Sequence, residues 1–105
     1  MAQAIAAGAS QYVMPDVQRI GGVTGWRRAA ALAQGAGLEM SSHLFPEASC
    51  HLLAATPTAH WLEYMDWAEP ILKNRLVVKK GLVEIPDRPG LGLEWDEKAV
   101  QRFAA

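Results

Sequence analysis

A chain of 105 residues, half of them hydrophobic, is long enough for one small domain with its own core. Ten basic and eleven acidic residues leave a net charge of −1 and are dispersed, so no basic patch offers itself to nucleic acid or to an anionic membrane surface. The single cysteine, Cys50, excludes an internal disulfide and points to a reducing compartment, and no apolar run reaches the roughly 18 residues of a membrane helix.

The opening MAQAIAAGAS lacks the basic segment and long apolar run of a secretory leader, so a cytoplasmic protein is expected. It reads instead as an alanine-rich helix over 2–9 that ends at Gly8. QYVMPD follows as a short apolar strand stopping at Pro15–Asp16. IGGVTGW is a glycine-rich turn with Thr24 placed as the N-cap of the next helix, WRRAAALAQGAG, which closes at Gly35 and Gly37. Without a matching lysine, GGVTG reads as close backbone packing rather than a phosphate cradle. LEMSSH is the second strand. Pro46 opens the helix PEASCHLLAAT, and AHWLEYM is the third strand.

Strand, helix, strand, helix, strand is the rhythm of a parallel sheet. RLVVKKGLVEIPD then alternates about Lys80–Gly81 like an antiparallel hairpin, RPGLGLEWD is a proline- and glycine-rich return, and DEKAVQRFAA is a last helix with Asp96 as N-cap. Three parallel strands leave two unpaired edges. Barrels remove such edges by closing, which takes about 250 residues, so the chain is expected to be a piece of a larger protein.

In a parallel sheet the C-terminal strand ends share one face, and in α/β barrels the chemistry sits there. Asp16, His43 and Glu63 fall at or next to those ends. A carboxylate beside an imidazole fixes its tautomer and stabilises the imidazolium, and a second carboxyl can serve the other side of a substrate. Blander readings stand beside this one. Asp16 follows a proline and suits a turn, and a lone His43 suits a satisfied polar residue; Glu63, in the aromatic run HWLEY, is expected to be partly buried, which would tend to keep it protonated and favours a catalytic role. His51 reads as a surface or packing residue, His60 as a structural hydrogen-bonder and Cys50 as a small buried hydrophobe.

The segments MPDVQRIGGVTGW, MSSHLFPE, HLLAATPTAHWLEYMD and IPDRPGLGLEW resemble, in this order, the C-terminal part of the mandelate racemase/muconate lactonising enzyme family of the enolase superfamily. The resemblance runs from about residue 2 to the end. It implies an α/β fold: the C-terminal portion of a TIM-type (β/α) barrel, with the last βα units in 1–68 and, in 69–105, a return segment packing toward a capping domain. It also implies catalytic roles. His43 is the base that takes the proton α to a carboxylate, Asp16 its dyad partner, and Glu63 the acid that hydrogen-bonds the enediolate. The implied cofactor is Mg²⁺, which enolase-superfamily sites combine with a Lys or His base. Its ligands, and a Lys-x-Lys motif, would lie on earlier strands upstream of this chain.

The implied substrate is a small α-hydroxy or sugar acid, with no nucleic acid or membrane partner and a homo-oligomeric full-length protein. Trp67, in YMDWAEPI, looks more like the acid-sugar dehydratases than the racemase. The 105-residue chain alone is expected to be inactive. A different class of reading also stands, in which the chain is a truncated product or an interaction module that completes its sheet with a partner.

Overall fold

The computed structural model describes residues 1–104. The chain divides into two compact units, Met1–Tyr64 and Met65–Ala105. In the first, helix α1 (Ala2–Ala6) leads to strand β1 (Tyr12–Val13), helix α2 (Gly22–Gly35), strand β2 (Glu39–Met40) and helix α3 (Pro46–Ala54). β1 and β2 pair in parallel, Tyr12 opposite Glu39 and Val13 opposite Met40, and the ladder is taken up again at the strand ends by a parallel bridge between Asp16 and His43.

The third expected strand is only partly realised. Residues 58–63 run beside β2 in the parallel sense, but the pairing is one bridge, Met40 to Ala59, with His60 N–H donating to the Met40 carbonyl and Ser42 N–H to the Trp61 carbonyl. Beyond that, serine hydroxyls replace the ladder: Trp61 N–H and Glu63 N–H donate to Ser41 Oγ and Ser42 Oγ. A hydroxyl reaches where the backbone does not, so the segment stays extended without regular strand pairing.

The α2 start also differs from expectation. Thr24 is not the N-cap; the helix begins at Gly22 behind Gly21, whose φ of 89° puts it in the left-handed region that glycine adopts without steric cost. Coiling is already under way there, because Ile20 N–H donates to the Asp16 carbonyl and Gly22 N–H to the Val17 carbonyl. Within the first turn, a Cβ on Gly25 would lie 1.7 Å from the Ile20 carbonyl oxygen, so this position has room for hydrogen only.

The core of this unit is the interface between strands and helices. Val13 and Met40, on one face of the β1–β2 pair, pack with Trp26, Ala29, Ala30 and Ala33 of α2 and Leu53 of α3. Small alanines on α2 let the helix approach the strands closely, and Trp26, 1% exposed, fills the remaining volume. Its indole N–H donates to Thr56 Oγ1 at 3.0 Å, which satisfies the one polar atom this side chain brings inside. The alternate residues Tyr12 and Glu39 are exposed, as period-two alternation requires. Both faces of a parallel sheet are ordinarily covered; here, within the described residues of this unit, the face opposite the helices leaves Tyr12 and Glu39 exposed.

The second unit holds a 3₁₀ turn (Glu69–Ile71), strands β3 (Val77–Lys79) and β4 (Leu82–Glu84), and helix α4 (Glu97–Phe103). β3 and β4 form the expected antiparallel hairpin. Its turn residues Lys80 and Gly81 both have positive φ, 51° and 79°, the pattern of a turn whose twist matches the strands. Asp96 caps α4 by accepting from Ala99 N–H. Leu72 and Trp95 form an antiparallel bridge that closes the return, with Lys73 paired to Glu94 at the surface.

Two glycines of α2 behave oppositely on substitution. Gly25→Ala forces backbone atoms apart and lowers the thermal midpoint sharply. Gly35→Ala, with open space around its Cβ, raises stability by about 0.5–1 kcal/mol through the loss of glycine's chain entropy. Melting curves of the two variants against the parent check both signs.

Candidate active site

Asp16, His43 and Glu63 all lie in the first unit, at the C-terminal ends of β1, β2 and the extended third segment. Their chain positions differ by tens of residues, yet the parallel arrangement brings them to one rim.

Asp16 is buried, with 8% of its surface exposed, and its two oxygens do different work. Oδ1 accepts from the backbone N–H groups of Gln18 (2.8 Å) and Arg19 (3.1 Å), forming the side-chain turn that starts the loop into α2. Oδ2 receives His43 Nδ1 at 3.0 Å. Turn residue and histidine partner, alternatives at the level of sequence, are thus one arrangement. Burial pushes the Asp16 carboxyl up, but the hydrogen bonds from His43, Arg19 and Gln18 outweigh it and hold the group below its ordinary 3.8. Arg19 Nε, 3.9 Å from Oδ2 on an 83% exposed side chain, adds little in solvent.

An ionised carboxylate only accepts hydrogen bonds, so neutral His43 must carry its proton on Nδ1. Nε2 is then the basic atom, on a ring that is 37% exposed. The backbone supports this alignment, since His43 N–H donates to the Pro15 carbonyl at 3.2 Å across the bridge with Asp16.

Glu63 is half-buried and is held from both ends. Its backbone N–H donates to Ser42 Oγ at 3.0 Å, and its Oε2 accepts from Leu44 N–H at 2.7 Å. Ser42 is fully buried. The Leu44 amide sits directly after His43, so the turn that follows the histidine also aims the glutamate. That turn is strained: Leu44 and Phe45 have φ of 55° and 48°, successive left-handed residues with side chains, at a cost of roughly 1–2 kcal/mol each. Phe45 caps α3, its carbonyl accepting from Ala48 and Ser49 N–H, and Ser49 Oγ donates to the Leu44 carbonyl at 2.9 Å.

The other histidines lie apart from this group. His60 stacks on Tyr12, with ring centroids 5.1 Å apart, and its Nδ1 is 3.3 Å from Ser41 Oγ. His51 is on α3. Cys50 is buried, its thiol directed at the Glu47 carbonyl and pushed up by burial, which suits packing rather than nucleophilic work. Among the described residues, no three His, Cys, Asp or Glu side chains converge where they could hold a metal ion. Sequence reasoning missed Ser42, Leu44 and Ser49. The paired serines before His43 were a signal for Ser42; a backbone amide leaves none.

Parallel strands with helices on one side and a polar constellation at the strand ends define the class as part of a TIM-type (β/α) barrel. Comparison with known proteins names the family. The profile of the enolase C-terminal domain-like family matches residues 1–99, and the chain belongs to that family, in the mandelate racemase/muconate lactonising enzyme branch of the enolase superfamily. An enolase from alpha proteobacterium bal199, crystallised with bound magnesium, is 52% identical with a TM-score of 0.92, over 95% of this chain and 28% of its own. An enolase from Bradyrhizobium, in complex with magnesium and mandelic acid, is 51% identical with a TM-score of 0.89, over 96% of this chain and 28% of its own. L-talarate/galactarate dehydratase from Salmonella typhimurium is 36% identical over 92% of this chain and 24% of its own length. The chain thus spans about a quarter of the length of such relatives.

The depressed carboxyl of Asp16 has a consequence for stability. Because its folded value lies below the unfolded 3.8, its contribution is present above that pH and is lost as pH falls through the folded value. The stability gap between the parent and Asp16→Asn is therefore widest above about pH 4 and narrows at lower pH, as urea melts at several pH values will record. A gap independent of pH contradicts the assignment.

Proposed function

We propose that this chain supplies the base and one electrophile of an enzyme that removes the proton α to a carboxylate, acting on an α-hydroxy acid by racemisation or dehydration. The observation that carries the reading is the Asp16–His43 pair at 3.0 Å, with Glu63 tied to the residue after His43. In this reading 1–68 are the last βα units of the barrel and 69–105 the return segment toward a capping domain. Other strands of a longer protein cover the exposed face that carries Tyr12 and Glu39.

The chemistry follows from the geometry. His43 Nε2 is the free basic atom and takes the α-proton; the imidazolium so formed is stabilised by the ionised Asp16 beside Nδ1. The second charge that develops on the substrate carboxylate needs a donor placed where it appears. Glu63 fits that task, since Oε2 already accepts from Leu44 and a proton on the carboxyl therefore sits on Oε1. One such donor contributes roughly 2.7–4 kcal/mol, which is not enough alone for a dianionic enediolate. A Mg²⁺ ion supplies further counter-charge in such sites. The described residues do not form a metal site, and the residues that would hold the ion would lie on other strands of a longer protein.

Magnesium and mandelic acid in the Bradyrhizobium enolase support the α-hydroxy acid class, and the Salmonella dehydratase supports its acid-sugar subset. In racemisation a second base opposite His43 is required; in dehydration one base suffices, and the imidazolium formed when His43 takes the α-proton can return a proton to the departing hydroxyl.

The test is α-proton exchange in deuterium oxide by the full-length protein that carries this segment, assayed with mandelate and with an acid sugar. His43→Asn abolishes exchange at one face of the α-carbon. Glu63→Gln lowers kcat about 10²–10³-fold, the scale of losing one donor to a developing oxyanion, with KM little changed. Exchange that survives intact at both faces in His43→Asn rules out the base assigned here.

A further inference from the structure

The helix α3 residue Ser49 is fully buried, yet it carries a hydroxyl. A buried hydroxyl needs a partner, and this one donates to the Leu44 carbonyl at 2.9 Å rather than to a carbonyl of its own helix. Leu44 is thereby pinned through both of its backbone polar groups. Its carbonyl is held by Ser49, and its N–H is held by Glu63 Oε2 at 2.7 Å.

Two opposed tendencies meet at this residue. Leu44 and Phe45 have left-handed φ values of 55° and 48°, a conformation that side chains disfavour, and Pro46 further biases Phe45 toward extended backbone. Left to itself, the turn would relax to negative φ. Such a relaxation rotates the peptide group between His43 and Leu44 and swings the Leu44 N–H away from Glu63. The turn persists because α3 grips it: Ala48 and Ser49 N–H hold the Phe45 carbonyl, and Ser49 Oγ holds the Leu44 carbonyl.

We propose that Ser49 is a positioning residue for Glu63, acting through the strained Leu44–Phe45 turn, so that the Leu44 amide occupies Oε2 and leaves Oε1 as the donor. The inference rests on the role proposed above for Glu63. Ser49 touches neither substrate nor reacting atoms. Its effect is to remove the choice of which Glu63 oxygen carries the proton and where that oxygen lies.

The test is a double-mutant cycle on α-proton exchange, in the full-length protein, between Ser49→Ala and Glu63→Ala. With Glu63 gone the Leu44 amide has nothing to orient. Ser49→Ala should therefore lower kcat about tenfold in the parent with KM unchanged, and less than twofold in the Glu63→Ala background. Equal losses in both backgrounds, no loss in the parent, or a loss confined to KM overturns the proposal. If Ser49→Ala does not fold, Ser49→Cys keeps the volume with a much weaker donor and is read by the same cycle. Activity unchanged in Glu63→Ala itself overturns the role of Glu63, and the role of Ser49 falls with it; a Ser49 effect that is merely additive overturns the positioning alone.

Discussion

The Asp16 carboxylate holds the loop into α2 with one oxygen and the imidazole of His43 with the other. Each half of that arrangement depends on the other. The two backbone donors on Oδ1 favour the ionised form, and only the ionised form obliges His43 to place its proton on Nδ1. Burial works against ionisation and loses to the hydrogen bond from His43 together with the backbone donors of Arg19 and Gln18 in the turn. The imidazole of His43 is thereby oriented at a strand end, its proton held on Nδ1 and Nε2 left as the unprotonated ring nitrogen.

On the other flank of His43 the constraint is backbone strain held by α3. The turn at Leu44–Phe45 is unfavourable on its own, and it survives because carbonyls at both of its residues are hydrogen-bonded by the first turns of the helix. What that strain secures is an amide directed at Glu63. The site is therefore built by two turns, one after β1 and one after β2, each translating backbone geometry into the aim of a carboxyl group. The strands set the spacing, and the alanine-rich face of α2 sets how closely the helical layer can support them.

Much of this was legible in the residues. The alternation of strand and helix signals, the Lys80–Gly81 hairpin, the Asp96 cap and the barrel family follow from pattern and motif. The polar residues at three strand ends suggested Asp16, His43 and Glu63 as a set, and the structure brings Asp16 and His43 into contact, with Glu63 linked through Leu44. The illegible parts have physical reasons. Thr24 looked like a cap because capping propensity is local, whereas the start of α2 was decided by a coil already running from Asp16 to Gly22. The third strand looked regular because period-two patterning does not report that serine hydroxyls take over backbone pairing. Leu-Phe-Pro reads as extended, since proline disfavours helical conformations before it, so the left-handed turn there is contrary to local preference and is imposed by tertiary contacts. A main-chain amide, moreover, has no letter in a sequence.

The most direct measurement is the tautomer of His43, read by ¹⁵N NMR of the full-length protein with labelled histidine, under conditions where the ring is neutral. The Asp16–His43 pairing requires the proton on Nδ1, coupled to its nitrogen and hydrogen-bonded to Asp16, with Nε2 showing the shift of an unprotonated ring nitrogen. In Asp16→Asn that preference is lost. A proton found on Nε2 in the parent protein would contradict the account, because the atom assigned to take the substrate proton would already be carrying one.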